Sequence, residues 1–178
     1  TVEDFALYSG KELDEQETEA LRTAAGQMSA KMRAVRIVSA ASVSRRDLEA
    51  RLVRKGEDPK QAKEAVAWME ELHLVDDRAT AEQVVSSCIS KGYGLARAKQ
   101  ALYEKRIPKE YWDEALADYP DQTEKITAFL KSRLDADSDE KQVRRAVDAL
   151  IRRGHSYGTI RRALDALSFD TEDFQEEF

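Results

Sequence analysis

An all-α fold of three tandem three-helix repeats is predicted by a helical pattern that occurs three times. The five-residue pattern of Leu52–Gly56, a leucine followed by residues that include a basic fourth position, recurs at 102–106 and at 150–154. The offsets are 50 and 48 residues. Apolar residues lie four positions before each leucine and 10, 14 and 17 positions after it. This spacing contains one break in phase and indicates two helices joined by a short turn. A period of this length is typical of stacked helical modules.

The composition also favours long helices. Of the 178 residues, 42% are hydrophobic and 36% are charged, and only seven glycines and three prolines interrupt the chain. The length suits one ordinary domain or a short array of small modules. Because stacked modules present a long surface rather than enclose a catalytic pocket, we expect an elongated, curved body. A short extended or β remnant is expected before the helices.

The expected organisation has five parts. They are an N-terminal acidic segment with a strand remnant and the start of a helix (1–29), helical repeat 1 (30–75), helical repeat 2 (76–119), helical repeat 3 (120–168) and an acidic tail (169–178). Each end segment has a net charge of −5, whereas residues 30–168 contain 27 basic and 23 acidic residues. This layout bears on binding partners rather than on the fold.

The strand remnant is indicated by residues 1–12, in which Phe5 and Leu7 alternate with polar or small residues. Residues 8–11 then have the composition of a turn. The segment is either the last strand of a small β element or a loose N-terminus. The first alternative needs partner strands, because an isolated strand leaves its hydrogen bonds unmade.

Capping residues mark the first helices. Residues 13–42 predict one helix, or two helices broken near Gly26, with acidic residues near the N-terminus where the helix dipole favours them. Ser44 is the predicted N-cap of the next helix, and Asp47 follows it at the spacing of a capping box. Gly56 has the position of a C-cap and ends that helix.

The remaining helices follow at short intervals. Asp58 and Pro59 begin one of them, and either Asp76 or Asp77 caps the next. That next helix has an apolar stripe that includes Cys88, so Cys88 is expected in the core. Five further helices are predicted, at 95–105, 108–119, 121–135, 139–153 and 156–167.

No catalytic, cofactor or metal constellation is visible, so an enzyme is the least favoured class. The two histidines, His73 and His155, have no metal-ligand spacing to Cys88. Residues 91–94 lack the spacing of a phosphate loop and follow a helix, so their glycines are assigned to a tight turn. The single cysteine fits a reducing cytosol. The sequence contains neither an apolar run long enough for a membrane helix nor a secretory leader.

Basic residues recur in pairs. The pairs are Arg45-Arg46, Arg54-Lys55, Lys105-Arg106, Arg144-Arg145, Arg152-Arg153 and Arg161-Arg162. In stacked repeats, equivalent residues line up on one side, where they would contact phosphates or an acidic protein surface. Intervening acids disfavour a strong nucleic-acid binder, and solvated helix faces are the alternative interpretation. Trp68 and Trp112 are in phase with core residues and are assigned to packing rather than to base stacking.

Several of these segments match a known family in their order along the chain. They are 44–48 with 52–56, 74–77, 91–94 followed by Arg97 and Leu102, and 150–157. Each segment alone is unspecific, whereas their order within three three-helix repeats is specific. The sequence therefore resembles the RecX family of bacterial regulators of the RecA recombinase. Residues 5–13 resemble its longer Gram-positive branch, which has a small β region before the helices, so this chain is expected to be truncated at its N-terminus.

The resemblance implies a non-enzymatic protein that binds RecA and its filament on single-stranded DNA. Members of this family lie along the groove of the filament, impede its growth and lower ATP hydrolysis, strand exchange and LexA cleavage. The implied protein is a cytoplasmic monomer without cofactor, metal or membrane association, and its direct contact with DNA is weak. The alternatives are a DNA-binding regulator that acts independently of RecA, with a steep salt dependence, and a structural scaffold with other partners.

Candidate contact residues for RecA or DNA come from the basic pairs and from the family signature in repeat 2. They are Arg45, Arg46, Arg54, Lys55, Lys91, Tyr93, Arg97, Arg144, Arg145, Arg152 and Arg153. The signature also contains Asp76 and Asp77, which would cap and orient a helix, and Gly92 and Gly94, which would shape a turn. The chain departs from the family pattern at Ala79, Thr80, Ser86 and Cys88, which weakens the basic surface of repeat 2.

This assignment leads to a first expectation about the basic face. Reversal of four candidate residues to glutamate is expected to abolish inhibition without unfolding the protein. The four residues are Arg54, Lys55, Arg97 and Arg145.

Overall fold

A computed structural model describes residues 7–8, 11–135 and 137–167 of the chain. Within these ranges the secondary structure is helical. The α-helices are α1 (Glu15–Ala40), α2 (Arg45–Arg54), α3 (Pro59–Glu71), α4 (Asp77–Ser90), α5 (Leu95–Glu104), α6 (Trp112–Leu116), α7 (Thr123–Lys131), α8 (Glu140–Arg152) and α9 (Tyr157–Asp165), with a 3-10 turn at Lys109–Tyr111. The predicted all-α class is therefore confirmed.

The ends of the chain bear on two expectations. Of the strand remnant expected within 1–12, only residues 7–8 and 11–12 are described, and they lie in no strand. The acidic tail 169–178 lies outside the described residues. The described residues divide into two compact units: unit 1 contains those within 1–80 and 105–107, and unit 2 contains those within 81–104 and 108–178.

Unit 1 has a core between α1, α2 and α3. The long helix α1 begins with a capping box, in which the Asp14 side chain accepts from the Glu17 N–H and the Glu17 side chain accepts from the Asp14 N–H. Helix α1 packs along α3, and α2 packs against both. Leu48, Leu52 and Met69 are fully buried between them. Burial of such side chains stabilises a fold by about 1.5–3 kcal/mol each.

Helix α1 continues through Gly26, so the predicted alternative of two helices broken there is wrong. A Cβ atom at Gly26 would lie 2.3 Å from the side-chain oxygen of Gln61, which belongs to α3. Gly26 therefore leaves room for the end of the Gln61 side chain and does not end a helix. The same face of α1 buries Ala30 and Ala34, whereas the larger Met32 is 52% exposed.

The repeated five-residue pattern forms the same structure in all three copies. Its leucines, Leu52, Leu102 and Leu150, are buried. Its fifth residues all have positive φ, and they are Gly56 (φ +92°), Arg106 (φ +56°) and Gly154 (φ +85°). A residue in this left-handed conformation ends a helix and reverses the chain, which is why glycine is favoured there. The sequence repeat is thus a repeated helix ending.

Unit 2 has a second core between α7, α8 and α9. Its fully buried side chains include Ile126, Leu130, Leu150 and Ile160. Helix α9 packs against both α7 and α8. Two predicted helices are shorter than expected, because 108–119 consists of the 3-10 turn and α6, and 121–135 is helical only within α7. Cys88, on α4, is buried as its apolar stripe predicts.

Two turns of unit 2 meet backbone to backbone. Gly94, just before α5, donates its N–H to the Arg153 carbonyl oxygen at 2.9 Å, and the Ala96 N–H reaches the Gly154 oxygen at 3.3 Å. A Cβ atom at Gly94 would lie 2.0 Å from the Gly154 oxygen, and one at Gly154 would lie 2.2 Å from the Arg97 nitrogen. Only glycines permit this approach, because a side chain at either position would collide with main-chain atoms.

Side chains extend this contact, which we call the glycine junction (Gly92, Gly94, Gly154 and His155). The His155 Nε2 atom lies 3.0 Å from the Gly92 carbonyl oxygen. The Tyr119 hydroxyl donates to the Tyr93 carbonyl oxygen at 2.6 Å. Burial raises the pKa of Tyr119 to about 12, so the hydroxyl keeps its proton and remains a donor. The junction thus satisfies carbonyl groups that would otherwise be unpaired at the end of α4.

Gly94→Ala is expected to lower the free energy of unfolding by about 3 kcal/mol or more, because the new methyl group overlaps backbone atoms that have no alternative position. Gly158→Ala is the matched control, since Gly158 lies within α9 with no atom near its Cβ position. That control is expected to gain about 0.5–1 kcal/mol. Urea unfolding followed by circular dichroism measures both, and equal effects of the two variants would contradict the junction.

His155 makes the stability of the fold depend on pH. Burial is the main reason that its pKa is lowered, Arg153 lowers it further, and the hydrogen bond with Gly92 opposes the shift. The unfolded histidine therefore takes up a proton at a higher pH than the folded one. The free energy of unfolding is expected to fall as the pH decreases from about 7.5 to about 5.5, by about 1.4 kcal/mol for each unit of pKa lowering.

Urea titrations across this pH range test the assignment with two variants. His155→Gln is expected to flatten the dependence, because glutamine can donate to the Gly92 carbonyl oxygen and does not titrate. His73→Asn is the control, since His73 is exposed and has φ +54°, a conformation that asparagine tolerates. An unchanged pH dependence in His155→Gln would show that the titrating group lies elsewhere.

Candidate functional site

The two aspartates of the signature have different roles at the start of α4. Asp76 Oδ1 accepts from the Ala79 N–H at 3.0 Å and so caps the helix. Asp77 Oδ1 instead accepts from the Arg45 N–H at 2.8 Å, which ties the start of α4 to the start of α2. Burial raises the pKa of Asp77, although the Arg45 N–H and the Arg45 charge act against it.

Ser44 adds a second tie at the same place in unit 1. Its hydroxyl oxygen accepts from the Asp47 N–H at 3.2 Å, as the predicted N-cap requires. The same hydroxyl donates to the Lys105 carbonyl oxygen at 2.6 Å, and Ser44 is fully buried. Residues 105–107 thereby join the start of α2. One N-cap therefore serves both its own helix and a segment distant in sequence.

Four of the candidate contact residues belong to unit 1, on or just after α2. Arg45 pairs with Glu70 at 2.7 Å, so its charge is already compensated. Arg46, Arg54 and Lys55 are exposed, and no carboxylate of the described residues pairs with them. Among the four candidate contact residues of unit 1, these three side chains therefore carry charges that no described carboxylate compensates.

The other seven candidate contact residues belong to unit 2. Lys91, Arg144 and Arg145 are exposed. Arg97 donates to Glu104 Oε1 at 2.9 Å and is partly buried. Its backbone nitrogen also lies against Gly154 at the glycine junction. Substitution of Arg97 by glutamate would place its carboxylate beside that of Glu104 and disturb the glycine junction. Arg97 is therefore a less direct probe of partner binding than the sequence suggests.

The structure brings four candidate contact residues together in one cleft of about 330 Å³. We call it the arginine cleft, and it is lined by Tyr93, Arg97, Phe129, Arg133, Ala149, Arg152 and Arg153. No acidic side chain lines it. The glycine junction positions the cleft, since Tyr93 and Arg97 flank Gly94 while Arg152 and Arg153 precede Gly154. Four cationic groups thus surround one open space.

Phe129 is the aromatic centre of the arginine cleft. The Cζ atoms of Arg133 and Arg153 lie 4.3 Å and 4.6 Å from the centroid of its ring. Such cation–π contacts hold the guanidinium groups in place while their N–H donors remain available. Sequence analysis missed both Phe129 and Arg133. Their spacing of four residues across the end of α7 was the available signal, because it places two side chains on one face.

A second cavity of about 490 Å³ is also within unit 2, and Gly94, Gly154 and His155 of the glycine junction line part of it. Gln122, Lys99, His155 and Thr159 are among the residues that line it. Gln122 is 7% exposed, and its Oε1 atom has no hydrogen-bond partner among the described atoms. Ordered water is the ordinary partner for such an atom.

This chain is similar in sequence to proteins of a known family. The family model of the second three-helix domain of RecX matches residues 76–116. The regulatory protein RecX of Chlorobaculum tepidum is 32% identical over 135 residues, which cover 74% of this chain and 83% of that protein. The chain belongs to the RecX family. The residues that carried the resemblance in sequence therefore identified the family correctly.

Solved RecX structures have the same fold. A crystal structure described as regulatory protein RecX superposes with a TM-score of 0.70 at 22% identity, covering 92% of this chain and 84% of that one. The crystal structure of RecX from Lactobacillus salivarius gives 0.69 at 22% identity, covering 82% and 98%. Both support the all-α repeat fold of this RecX-family chain.

No described helix of this RecX-family chain is both long and apolar enough to cross a membrane. Within the same ranges, no group of three or more histidine, cysteine or acidic side chains is placed to hold a metal ion.

Asp77→Asn is expected to keep or raise the free energy of unfolding at pH 7, by up to about 1 kcal/mol. Asparagine retains an acceptor for the Arg45 N–H and removes a charge that burial disfavours. Asp77→Ala is expected to lose about 1–2 kcal/mol, because the partly buried Arg45 N–H loses its acceptor. The Asn advantage should shrink at lower pH, since the raised pKa favours protonation of folded Asp77. Urea unfolding at pH 7 and pH 4 measures both, and equal losses would contradict this role.

Proposed function

We propose that this protein binds the RecA filament on single-stranded DNA and limits its assembly, ATP hydrolysis and co-protease activity. The observation that carries the proposal is membership of the RecX family over most of the chain. The relative from Chlorobaculum tepidum bears the name regulatory protein RecX. A role in recombinational repair and the SOS response follows from this proposal.

The distribution of exposed cations supports binding to an extended, repeating partner. Arg46, Arg54 and Lys55 are available in unit 1, and Arg145 is exposed in unit 2. A protein that carries separate contact sites gains affinity along a repeating partner, because each further contact forms at high effective concentration. Sites that are individually weak are therefore sufficient for filament binding.

The other parts of the proposal follow from the regulatory role. We propose a monomer without catalytic activity or a cofactor, because a regulator of this kind acts through the surface that it presents. A cytoplasmic location is proposed because RecA filaments form on DNA within the bacterial cell. The single, buried cysteine is compatible with that compartment.

A DNA-binding regulator that acts without RecA is the second candidate function. The arginine cleft favours it, because three of its guanidinium groups have no carboxylate partner among the described residues. This candidate predicts binding to DNA alone, with an affinity that falls steeply as the salt concentration rises. The net charge of −6 opposes it.

Titration of the protein into a DNA-dependent ATPase assay with the cognate RecA tests the proposal. Steady-state hydrolysis is expected to fall at sub-stoichiometric ratios of this protein to RecA. A variant that reverses three exposed cations to glutamate is expected to weaken inhibition by about tenfold or more, because charge complementarity is lost at several contacts. The reversed residues are Arg54, Lys55 and Arg145, and Arg97 is left intact because it pairs with Glu104.

The matched control reverses three exposed lysines that were not assigned to contacts. They are Lys60, Lys63 and Lys141. This control changes the net charge by the same amount, so inhibition should persist if the effect is local. Full inhibition by the contact variant would contradict the assigned face. No inhibition by the folded parent protein at several-fold excess over RecA would contradict the proposed function.

A further inference from the structure

The arginine cleft contains more positive charge than its structural contacts require. Arg97 is compensated by Glu104 at 2.9 Å. No carboxylate of the described residues pairs with Arg133, Arg152 or Arg153, although all three line the same cleft. Like charges that line one cleft repel one another, and an anion bound in the cleft would relieve that repulsion.

Cations near helix ends have an ordinary structural explanation. Arg152 and Arg153 lie at the end of α8, where the helix dipole favours positive charge. That explanation does not account for the convergence of side chains from separate elements. Arg133 follows α7, and Arg97 belongs to α5, yet both line the same cleft. The shared feature of the four residues is the cleft and not a helix end.

Phe129 fixes the orientation of two of these groups. The guanidinium groups of Arg133 and Arg153 both lie within 4.6 Å of its ring centroid. Contact with the ring restricts the rotamers of two long side chains, so less conformational entropy is lost when they bind a ligand. Their N–H groups remain free to donate in pairs, as a guanidinium does to phosphate or carboxylate oxygens. The cleft is therefore preorganised for an oxyanion.

The number of arginines and the size of the cleft indicate the class of oxyanion. One carboxylate has two oxygens and a single charge, which one guanidinium fork can satisfy. A phosphate monoester has three terminal oxygens and up to two charges, and the successive phosphodiesters of a nucleic acid each add one charge, so either can engage several arginines at once. A volume of about 330 Å³ is near the lower limit for small-ligand sites. Tyr93 adds an aromatic surface on which a nucleobase could stack.

We propose that the arginine cleft is a binding site for a phosphate ester, with Arg133, Arg152 and Arg153 as the phosphate ligands and Phe129 as the support that orients them. Tyr93 contacts the group that the phosphate carries. The ester is either a phosphodiester of single-stranded nucleic acid or the phosphate of a free nucleotide. The site does not require the proposed action on RecA, and its test contains no RecA.

Binding measured with the full chain and three probes tests this site. The probes are a short fluorescein-labelled oligothymidylate, ATP, and an oligoglutamate peptide that matches the oligothymidylate in charge. Fluorescence anisotropy serves for the labelled probe, and isothermal titration calorimetry serves for the other two. The parent protein is expected to bind at least one phosphate probe and to bind the peptide more weakly. The proposal would be overturned if the peptide bound more tightly than both phosphate probes, or if neither phosphate probe bound.

Paired variants separate the cleft from general electrostatic attraction. The variant Arg133→Gln with Arg153→Gln is expected to lower the affinity for the phosphate probe by about tenfold or more, because two charge-assisted contacts are lost. The control is Lys109→Gln with Lys141→Gln, which removes the same charge from exposed positions of unit 2 outside the cleft. Equal losses in the two double variants would overturn the proposal.

Phe129→Leu provides a second variant that keeps most of the apolar volume. It is expected to weaken phosphate binding severalfold, since the guanidinium groups lose the ring that orients them. Thermal unfolding by circular dichroism confirms that each variant is folded. If these cleft variants lose only oligothymidylate binding, the natural ligand is a nucleic-acid phosphodiester. If they lose ATP binding, the natural ligand is a free nucleotide. Unchanged phosphate binding in both Phe129→Leu and the double arginine variant would overturn the proposal.

Discussion

The contact between Gly94 and Gly154 is the constraint on which unit 2 depends. At this point two main chains approach so closely that a methyl group at either residue would overlap backbone atoms. The contact fixes the turn before α5 against the turn before α9. It also sets the distance between the residues that flank these turns, and so places Tyr93 beside Arg153. A packing requirement of two glycines therefore determines the geometry of the arginine cleft.

Much of the fold was predictable because its determinants are local in sequence. The repeated five-residue pattern predicts helix endings, and Gly56 and Gly154 have the positive φ that such endings need. Ser44 and Asp76 cap their helices through hydrogen bonds that span three residues. Gly26 misled the prediction because a glycine inside a continuous helix has the same appearance in sequence as one that ends a helix.

The candidate site was predictable only in part. Arg152 and Arg153 were found because they form a basic pair within the repeat. Phe129 was not found, because an aromatic residue in phase with a core stripe is usually assigned to packing. Its contact with Arg153 joins residues 24 positions apart, and no local pattern encodes such a contact. Sequence analysis identified the charges of the cleft but not the ring that orients two of them.

The structure also distinguishes basic residues that look equivalent in sequence. Arg45 and Arg97 are held in ion pairs with Glu70 and Glu104. Arg54 has no such partner among the described residues. A guanidinium that is already paired must lose that partner before it binds another, which reduces its net contribution to affinity. Whether a basic residue can bind a partner thus depends on whether a carboxylate of the same chain already pairs with it. The pattern of basic pairs in the sequence does not contain that information.

The buried position of Cys88 has a practical consequence for spectroscopy. It is the only cysteine of the chain, and burial raises the pKa of its thiol. Because the thiolate is the reactive form, Cys88 should react slowly with maleimides at neutral pH. A cysteine introduced at an exposed site can therefore carry a fluorophore or spin label while the native thiol stays in place. Pairs of such labels would report distances within a chain whose core is unaltered.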